Sequence, residues 1–489
     1  MKSDRKTLNR PNVLLILTDQ ERATQHFPPL WEKRRLRNLT RLKKHGLSFE
    51  RAFCNACMCS PSRSTLFTSL YVAEHQVTDT LTWGGLFSPT ELTLDPTLPN
   101  LATTLRPAGY RVPYRGKWHL TKGSSGEDSM TDADVAIYGF EGWTPPDAGE
   151  DTDVRNFGGG YAAHDARYIG QSVDFLRSAD PGQPFCLTLS LVNPHDVLSY
   201  PQSYTYGYTD ADLKGDVRLP PSWNENLRTN DKPAAQVQLQ LTAPFGLGFL
   251  PGKQKKLNYV NFYANLIAQI DGQLDPIMDL LYDQDDEPTE LGRNTIVIRS
   301  ADHGEMGMAH GGLRQKAFNA YEETLRIPLV VSNPVLFPEA RTSDRLVSLI
   351  DLLPTIADLC GVAPPSGARG TSLAPVLENP DLRASGPSDV YFTFDDVRAG
   401  FPNNASAVRA ANRVRCIREQ RFKYARYFEA NGSYAEDFEL YDLEADPNEM
   451  TNLAGNPAYK KERERLAKKL AQRERDAVIP PPNPNPVGG

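Results

Sequence analysis

Short apolar runs alternate along most of the chain with segments whose apolar residues recur at helical spacing. The run Val13 to Leu17 is β-rich and continuous, which is typical of a strand covered on both faces. Strands are predicted at residues 12–18, 47–52, 110–115, 185–192 and 295–299, and helices at 31–45, 99–107, 167–177, 260–281 and 346–360. Pro276 predicts a kink in the fourth of these helices. This alternation predicts an α/β fold with a large, mainly parallel sheet and helices on both faces.

The pattern changes beyond residue 362. Shorter strand-like pieces follow at 390–394, 413–418, 422–428 and 438–441. They predict a small antiparallel sheet, closed by a helix that is capped at Asn456 and carries Pro457 near its start. The tail, 479–486, is proline-rich and extended. We therefore expect two units, a catalytic α/β domain at 1–379 and a C-terminal α+β subdomain at 380–489.

Two long segments show neither strand nor helix periodicity. Residues 123–160 are rich in glycine, aspartate and serine, and residues 201–256 are polar and proline-rich. We interpret the first as a loop that borders a ligand site and the second as an insertion or lid. Both are expected to determine substrate choice.

Composition and charge exclude some classes of partner. The chain has 489 residues and a net charge of -7, so nothing favours nucleic acid or an anionic membrane surface. No apolar run has the length of a membrane span, and the charged N-terminus shows no secretion signal. These observations predict a cytoplasmic protein with six reduced cysteines.

Polar residues follow the ends of the predicted strands. Asp19, His119, His195 and Asp302 all lie just past such ends. In parallel sheets ligands bind beyond the carboxyl ends of the strands, so these side chains are expected to converge. The two carboxylates offer hard oxygen ligands for a divalent cation. His303 adds a nitrogen ligand, which favours manganese over calcium without deciding between them.

The segment 54–65, Cys-Asn-Ala-Cys-Met-Cys-Ser-Pro-Ser-Arg-Ser-Thr, contains three cysteines and a helix start. Ser60 suits the N-cap and Pro61 the first helical position, which places Cys59 at the positive end of a helix. The positive end of a helix attracts anions. Arg63, four residues on, is expected to reach toward an anion bound beside Cys59. Two other interpretations are a buried structural cysteine and a zinc cluster. The cluster lacks a second Cys-x-x-Cys or histidine pair.

Cys59-Ser60-Pro61-Ser62-Arg63 resembles the signature of the type I sulfatases of the alkaline phosphatase superfamily. The continuation at 66–71 also matches, except that Ser69 stands where glycine is usual, and the similarity extends from about Pro11 to the turn at 440–447. In that family the cysteine is oxidised after translation to formylglycine, whose hydrate is the nucleophile. The resemblance implies a maturation enzyme as partner and a small sulfate ester, of an arylsulfatase-like or choline-sulfatase-like kind, as substrate.

The resemblance also implies a metal site. Asp19 and Gln20 match the family's first acidic pair, with Gln20 replacing the commoner second aspartate, although its amide oxygen could still ligate. Asp302 and His303 match the second metal segment in its histidine form. One divalent ion, Ca2+ or Mn2+, is expected on these residues and on the group derived from Cys59.

The remaining roles follow from the same comparison. Lys117 resembles a sulfate contact and His119 the base that releases sulfate, both within Gly116-Lys117-Trp118-His119. His195 resembles the histidine at the leaving-group oxygen, with Lys316 as its partner. Because a transferring sulfuryl group spreads negative charge over its oxygens, a cationic cradle is needed. Arg63, Lys117 and Lys316 are its expected members.

Two rival functions remain open from the sequence. One is a formylglycine-dependent phosphonate monoester hydrolase or phosphodiesterase, whose signature begins in the same way and whose metal set is similar. The other is a binding protein whose Cys59 is never converted. His75 and His310 lie near matched segments without an assigned role. The proline-rich tail could pack on a neighbouring copy, so a homo-oligomer is also an open expectation.

Overall fold

The computed structural model describes residues 8, 10–123, 130–150, 153–378 and 388–478. Its large sheet has eight strands: β1 Asn12–Asp19, β2 Gly46–Phe53, β3 Tyr114–Gly116, β4 Cys186–Pro194, β5 Thr295–Ala301, β6 Arg326–Ile327, β7 Leu329–Ser332 and β8 Arg341–Ser348. The order is β3-β4-β1-β5-β7-β2-β6, and β8 pairs with β2. β1 lies between β4 and β5 and is parallel to both, so the sheet is mainly parallel around its centre.

Helices cover both faces of this sheet. They are α1 Trp31–Arg35, α2 Arg37–Lys44, α3 Cys59–Thr68, α4 Val72–His75, α5 Leu101–Leu105, α6 Asp132–Ala136, α7 His164–Ser178, α8 Ala234–Leu247, α9 Gly252–Gln273, α10 Asp275–Leu281, α11 Glu290–Arg293, α12 Ala309–Gly312, α13 Glu322–Leu325, α14 Leu352–Leu359, α15 Ala374–Glu378 and α16 Lys460–Val478. Leu14 and Ile16 of β1 pack with α2, α7 and α9, whereas Leu15 and Leu17 belong to the core that contains α3, α5 and α14. The predicted two-sided burial of β1 is confirmed.

A second sheet is antiparallel throughout. It consists of β9 Asp389–Phe394, β10 Arg413–Glu419, β11 Phe422–Phe428 and β12 Asp437–Asp442, in the order β12-β11-β10-β9. Phe392 and Val414 belong to the same buried cluster as Leu15, while Ile417 packs under Leu466 of α16. The predicted C-terminal sheet is confirmed, and it shares a core with the large sheet. The predicted division near residue 380 lies outside the described residues.

Several predicted elements have different bounds. Residues 110–113 precede β3 rather than forming it, and residues 346–348 close β8 where a helix start was predicted. β8 is favoured because it pairs with β2, which brings Leu346 opposite Arg51. The break predicted at Pro276 separates α9 from α10. The side chain of Asn456 caps a short 3-10 turn that leads into α16.

The two segments without periodicity contain helices. Residues 201–256 include α8 and the first turn of α9, and residues 123–160 include α6. The missed α8 contains Pro244, and its polar residues, Gln236, Gln238, Gln240 and Thr242, are spaced two apart. This spacing places them on opposite sides of the helix, so α8 lacks an amphipathic pattern. The proline-rich tail lies outside the described residues. Within the described ranges, no helix combines the length and apolarity that crossing a membrane needs.

Candidate active site

The carboxyl ends of β1 and β5 bring two acidic residues together. Asp19 ends β1 and Asp302 follows β5, and these two strands are parallel neighbours. The backbone N–H of Gln20 donates to Oδ1 of Asp302 over 3.0 Å, and the N–H of Asp302 donates to the carbonyl of Thr18 over 3.1 Å. The predicted convergence at this edge of the sheet is therefore observed for both carboxylates.

Cys59 lies at the same edge, in the first turn of α3. The helix begins one residue before the predicted cap, because Met58 is the N-cap and Cys59 the first helical residue. The hydroxyl of Ser60 instead accepts the N–H of Leu81 over 3.1 Å. The Sγ atom of Cys59 lies 3.6 Å from Oδ1 of Asp19, so the helix start delivers the thiol to the end of β1.

Four buried residues form a group of donor atoms. One ligand atom each from Asp19, Cys59, Asp302 and His303 lies within 4.8 Å of the other three. Burial and the charge of Asp19 raise the pKa of Asp302 to about 6, since two carboxylates are crowded into a dry site. Two carboxylate oxygens and an imidazole nitrogen are a donor set for a divalent cation, and a cation would relieve this repulsion.

Gln20 lies beside this group but its amide already has two partners. Its Oε1 accepts from Nζ of Lys316 over 2.6 Å, and its Nε2 donates to Oε2 of Glu305 over 2.8 Å. An amide oxygen has two lone pairs, so metal ligation by Gln20 is compatible with the bond to Lys316 and stays a prediction. The sequence did not single out Glu305, which orients the Gln20 amide.

Arg63 donates hydrogen bonds to both carboxylates, those of Asp19 and Asp302. Its Nε donates to Asp302 over 3.0 Å and its Nη2 to Asp19 over 3.1 Å. Nη1 donates to Oγ of Ser190 over 2.7 Å and to the carbonyl of Lys117 over 3.0 Å. The side chain is fully buried. The expected reach of Arg63 toward a bound anion is therefore not what the structure shows, because its guanidinium is committed to protein groups.

Lys117 and His119 enter from the loop after β3. Nζ of Lys117 lies 2.6 Å from Oδ2 of Asp19 and also donates to the carbonyl of Gly149. Asp147 accepts the N–H groups of Trp118 and His119, both over 2.7 Å, and so fixes the backbone of this segment. Asp147 is a second residue that the sequence did not reveal. A lone aspartate in a polar loop carries no pattern that distinguishes it from its solvated neighbours.

The imidazole of His119 is oriented by the backbone. Its Nε2 lies 2.7 Å from the carbonyl of Leu81, whereas its buried Nδ1 has no partner among the described residues. Burial and the charge of Lys117 hold the pKa of His119 well below its usual value. In the resulting neutral ring Nε2–H donates to Leu81, which leaves the lone pair on Nδ1.

A cavity of about 340 Å³ opens above Cys59. His195 and Lys316 line it, and burial and Lys117 hold the pKa of His195 well below its usual value. The loop predicted to border the site lines this cavity through Glu150, and the segment predicted to be an insertion or lid lines it through Leu239, Ala243 and Leu247 of α8. Residues 399–402, between β9 and β10, complete the wall. Their contribution was not predicted.

The other candidate residues lie elsewhere. His75 is bonded to Thr65 over 3.1 Å, and His310 to Glu225 over 2.7 Å, and neither lines the cavity. Cys54 lies 3.6 Å from the carbonyl of Thr324, and Cys57 lies 3.2 Å from that of Lys316. Among the described residues only one of the three neighbouring cysteines, Cys59, belongs to a group of metal-ligand atoms, so the zinc cluster is not supported.

Comparison with known families identifies the class of this chain. The model of the family "Sulfatase" matches residues 11–362, and the model "N-sulphoglucosamine sulphohydrolase, C-terminal" matches residues 310–476. The chain belongs to the sulfatase family, whose members hydrolyse sulfate esters. The resemblance seen in the cysteine segment is confirmed, and the two models together cover residues 11–476.

Individual relatives agree with this assignment. The Delta 4,5-hexuronate-2-O-sulfatase of Bacteroides thetaiotaomicron is 26% identical over 92% of this chain and 86% of its own length. The arylsulfatase K of Canis lupus familiaris is 27% identical over 91% and 79%. Among solved structures, a 2-O GAG sulfatase has a TM-score of 0.75 at 22% identity, covering 96% of this chain and 93% of its own. The phosphonate monoester hydrolase of Agrobacterium radiobacter reaches 0.67 at 22%, with 96% of each chain covered. These structures share the fold.

Proposed function

We propose that this enzyme cleaves small sulfate monoesters with a nucleophile formed from Cys59 and with one divalent metal ion. The observation that carries the proposal is the group of donor atoms from Asp19, Cys59, Asp302 and His303, all within 4.8 Å at the base of a cavity. Lysine and histidine side chains surround the same point. The four residues of the group come from the ends of the neighbouring strands β1 and β5 and from the start of α3.

The metal would be held by Asp19, Asp302 and His303, with the group formed from Cys59 and the Gln20 amide oxygen as further ligands. Ca2+ and Mn2+ both suit two carboxylates and one imidazole. A bound cation would neutralise charge that develops on the sulfuryl oxygens. Arg63 acts by positioning, because its bonds to Asp19 and Asp302 fix the two carboxylates that would ligate the ion.

The nucleophile is proposed to be formylglycine, made from Cys59 by a maturation enzyme. As a hydrated aldehyde it would supply one oxygen to attack sulfur and a second hydroxyl whose deprotonation releases sulfate, which a thiolate lacks. His119 is proposed as the base, because its neutral imidazole keeps a lone pair on Nδ1 that has no partner among the described residues.

The leaving-group side of the reaction is assigned to His195 and Lys316. Both line the cavity, and Nζ of Lys316 is positioned by Oε1 of Gln20. A proton delivered by one of them to the ester oxygen would let a poor alkoxide leave as an alcohol. Lys117, paired with Asp19, supplies positive charge next to the nucleophile.

The substrate is proposed to be an aryl or alkyl sulfate. Leu239, Leu247 and Phe401 give the cavity apolar walls that suit a ring or chain. A cytoplasmic location remains part of the proposal, supported by six cysteines that are all free.

The test is a substrate panel on purified, metal-loaded protein, with sulfate monoesters, phosphonate monoesters and phosphate diesters as its arms. We expect the highest kcat/KM for a sulfate monoester, and none above background with Cys59→Ala. A preference for phosphonate monoesters would establish the rival hydrolase instead. Tight binding of esters without turnover of any of them, in protein whose Cys59 stays unconverted although the maturation enzyme is present, would favour the binding protein.

A further inference from the structure

Arg314 lines the cavity above Cys59 with only backbone groups as hydrogen-bond partners. Its side chain is 5% exposed. Nη1 donates to the carbonyl of Leu247 over 2.8 Å, and Nη2 donates to that of Gly248 over 2.6 Å. A guanidinium has five N–H donors, so three remain for another partner. Among the described residues, no carboxylate lies within ion-pair distance of this guanidinium.

Glu305 acts on Arg314 electrostatically, but the two side chains form no ion pair. Burial lowers the pKa of Arg314, and Tyr259 and Glu305 act in the opposite direction. Oε1 of Glu305 accepts from the Tyr259 hydroxyl over 2.7 Å, and its Oε2 accepts from Gln20 over 2.8 Å. A cation withdrawn from water without a bonded counter-ion destabilises a fold. We therefore expect Arg314 to bind an anion that is not part of the protein.

The position of Arg314 separates it from the sulfate group under attack. Lys316, two residues on, turns to Gln20 beside the metal-ligand group. The guanidinium of Arg314 instead bonds to the end of α8, whose Leu239, Ala243 and Leu247 form the apolar wall of the cavity. An apolar wall suits the organic part of the ester, and Arg314 lies beside that wall.

We propose that Arg314 binds a second anionic group, a carboxylate or a second sulfate, carried by the organic part of the substrate. The inference rests on the proposed hydrolysis of sulfate esters. It narrows the substrates to esters that carry a second anionic group. The planar fork of a guanidinium matches the oxygens of both groups, and charge-assisted hydrogen bonds are the stronger ones. The apolar wall holds the ring or chain between the two anions.

Glu150, in the same cavity, is compatible with such a substrate. Both of its carboxyl oxygens are buried and lack a hydrogen-bond partner among the described residues. Burial and Asp147 raise the pKa of Glu150 well above its usual value. This favours the neutral acid, which does not repel a second anion and can donate to a substrate hydroxyl.

The experiment compares three aryl sulfates of similar shape. They are 3-carboxyphenyl sulfate, 3-carbamoylphenyl sulfate, in which an uncharged carboxamide replaces the carboxylate, and 1,3-phenylene disulfate, which carries a second sulfate. For wild-type enzyme we expect kcat/KM to be about 10–100-fold higher for at least one charged probe than for the carboxamide. Arg314→Gln should remove this preference mainly through KM, and Arg314→Lys should retain part of it. Arg228→Gln, at an exposed position, is the matched control and should retain it fully.

Selectivity is read within each variant, so a general loss of stability does not imitate the result. No preference in the wild type, or an equal loss for all three probes in Arg314→Gln, would overturn the subsite. Binding is measured in parallel by calorimetry on Cys59→Ala protein, where no turnover is needed. If no sulfate is hydrolysed, the proposed function fails, yet a charged probe that binds at least tenfold more tightly through Arg314 still supports the subsite. Equal binding of all probes overturns it.

Discussion

The Nε2 atom of His303 lies 3.3 Å from the Sγ atom of Cys59. The first residue of α3 and the residue after Asp302 thus meet although they are 244 positions apart in sequence. The side chain proposed to become the nucleophile therefore lies inside the group of atoms proposed to hold the metal. Chemistry at Cys59 and metal binding should depend on each other.

Removing a metal ligand should mimic removing the metal. We expect chelation to abolish turnover while most of the fold remains. Asp302→Ala should lower kcat/KM by more than the roughly 10–100-fold that loss of an outer hydrogen-bond partner costs a metal site. Metal content by mass spectrometry and activity are measured on the same samples. Full activity in Asp302→Ala would contradict the metal site.

The leaving-group assignment predicts that substituting the proton donor changes how strongly the rate depends on the pKa of the leaving alcohol. If His195 or Lys316 donates the proton, substituting the donor by alanine should slow esters of high-pKa alcohols by about 10²–10⁴-fold, and activated aryl esters much less. The readout is the slope of log kcat/KM against leaving-group pKa for each variant. An equal loss along the whole series would assign the residue to sulfate binding instead.

The orientation of His119 predicts the acid limb of the pH profile. Because burial and Lys117 hold the pKa of His119 well below the usual histidine value of about 6.5, the neutral base persists as the pH falls through 6.5. Loss of kcat through protonation of His119 should therefore begin only below that pH. His119→Ala should lower kcat by about 10²–10⁴-fold and remove this limb. An acid limb centred above pH 6.5 that disappears in His119→Ala would contradict the lowered pKa of His119, and an unchanged kcat in His119→Ala would refute its role as base.

Arg63 should matter for stability as well as for activity. Arg63→Gln leaves Asp19 and Asp302 buried without their shared counter-charge, and breaking a buried pair in this way costs about 3–5 kcal/mol. Denaturant unfolding should show a lower midpoint than in the matched control, Arg228→Gln. The unfolding midpoint of Arg63→Lys should be intermediate, because a single ammonium group replaces a guanidinium that donates to both carboxylates. An unchanged midpoint in Arg63→Gln would show that the carboxylates do not need this arginine.

The large sheet was predictable where the residues themselves carry the pattern. The run before Asp19 is continuous and apolar, and its buried neighbours confirm the strand. The segment after residue 341 was ambiguous, because Leu346 and Val347 fit either a helix or a strand and only pairing with β2 decides. α8 was missed because its polar residues lie on opposite sides of the helix and give no amphipathic pattern.

The candidate site also contains some residues that could be predicted from the sequence and others that could not. Asp19, Cys59 and Asp302 could be predicted because strand ends and a helix start place them at one edge. The contacts of Arg63 could not, since its partners come from strands distant in sequence. Asp147 and Glu305 act by accepting hydrogen bonds from other residues of the site, and an isolated acidic residue shows no such role in a sequence.

The state of Cys59 in active enzyme tests the central claim most directly. Mass spectrometry of the peptide that contains residue 59 measures the fraction in which the thiol has been replaced by the aldehyde. We predict that specific activity rises in proportion to this fraction across preparations, and that Cys59→Ala is inactive at any metal concentration. Protein that retains the Cys59 thiol throughout and is as active as converted protein would contradict the account.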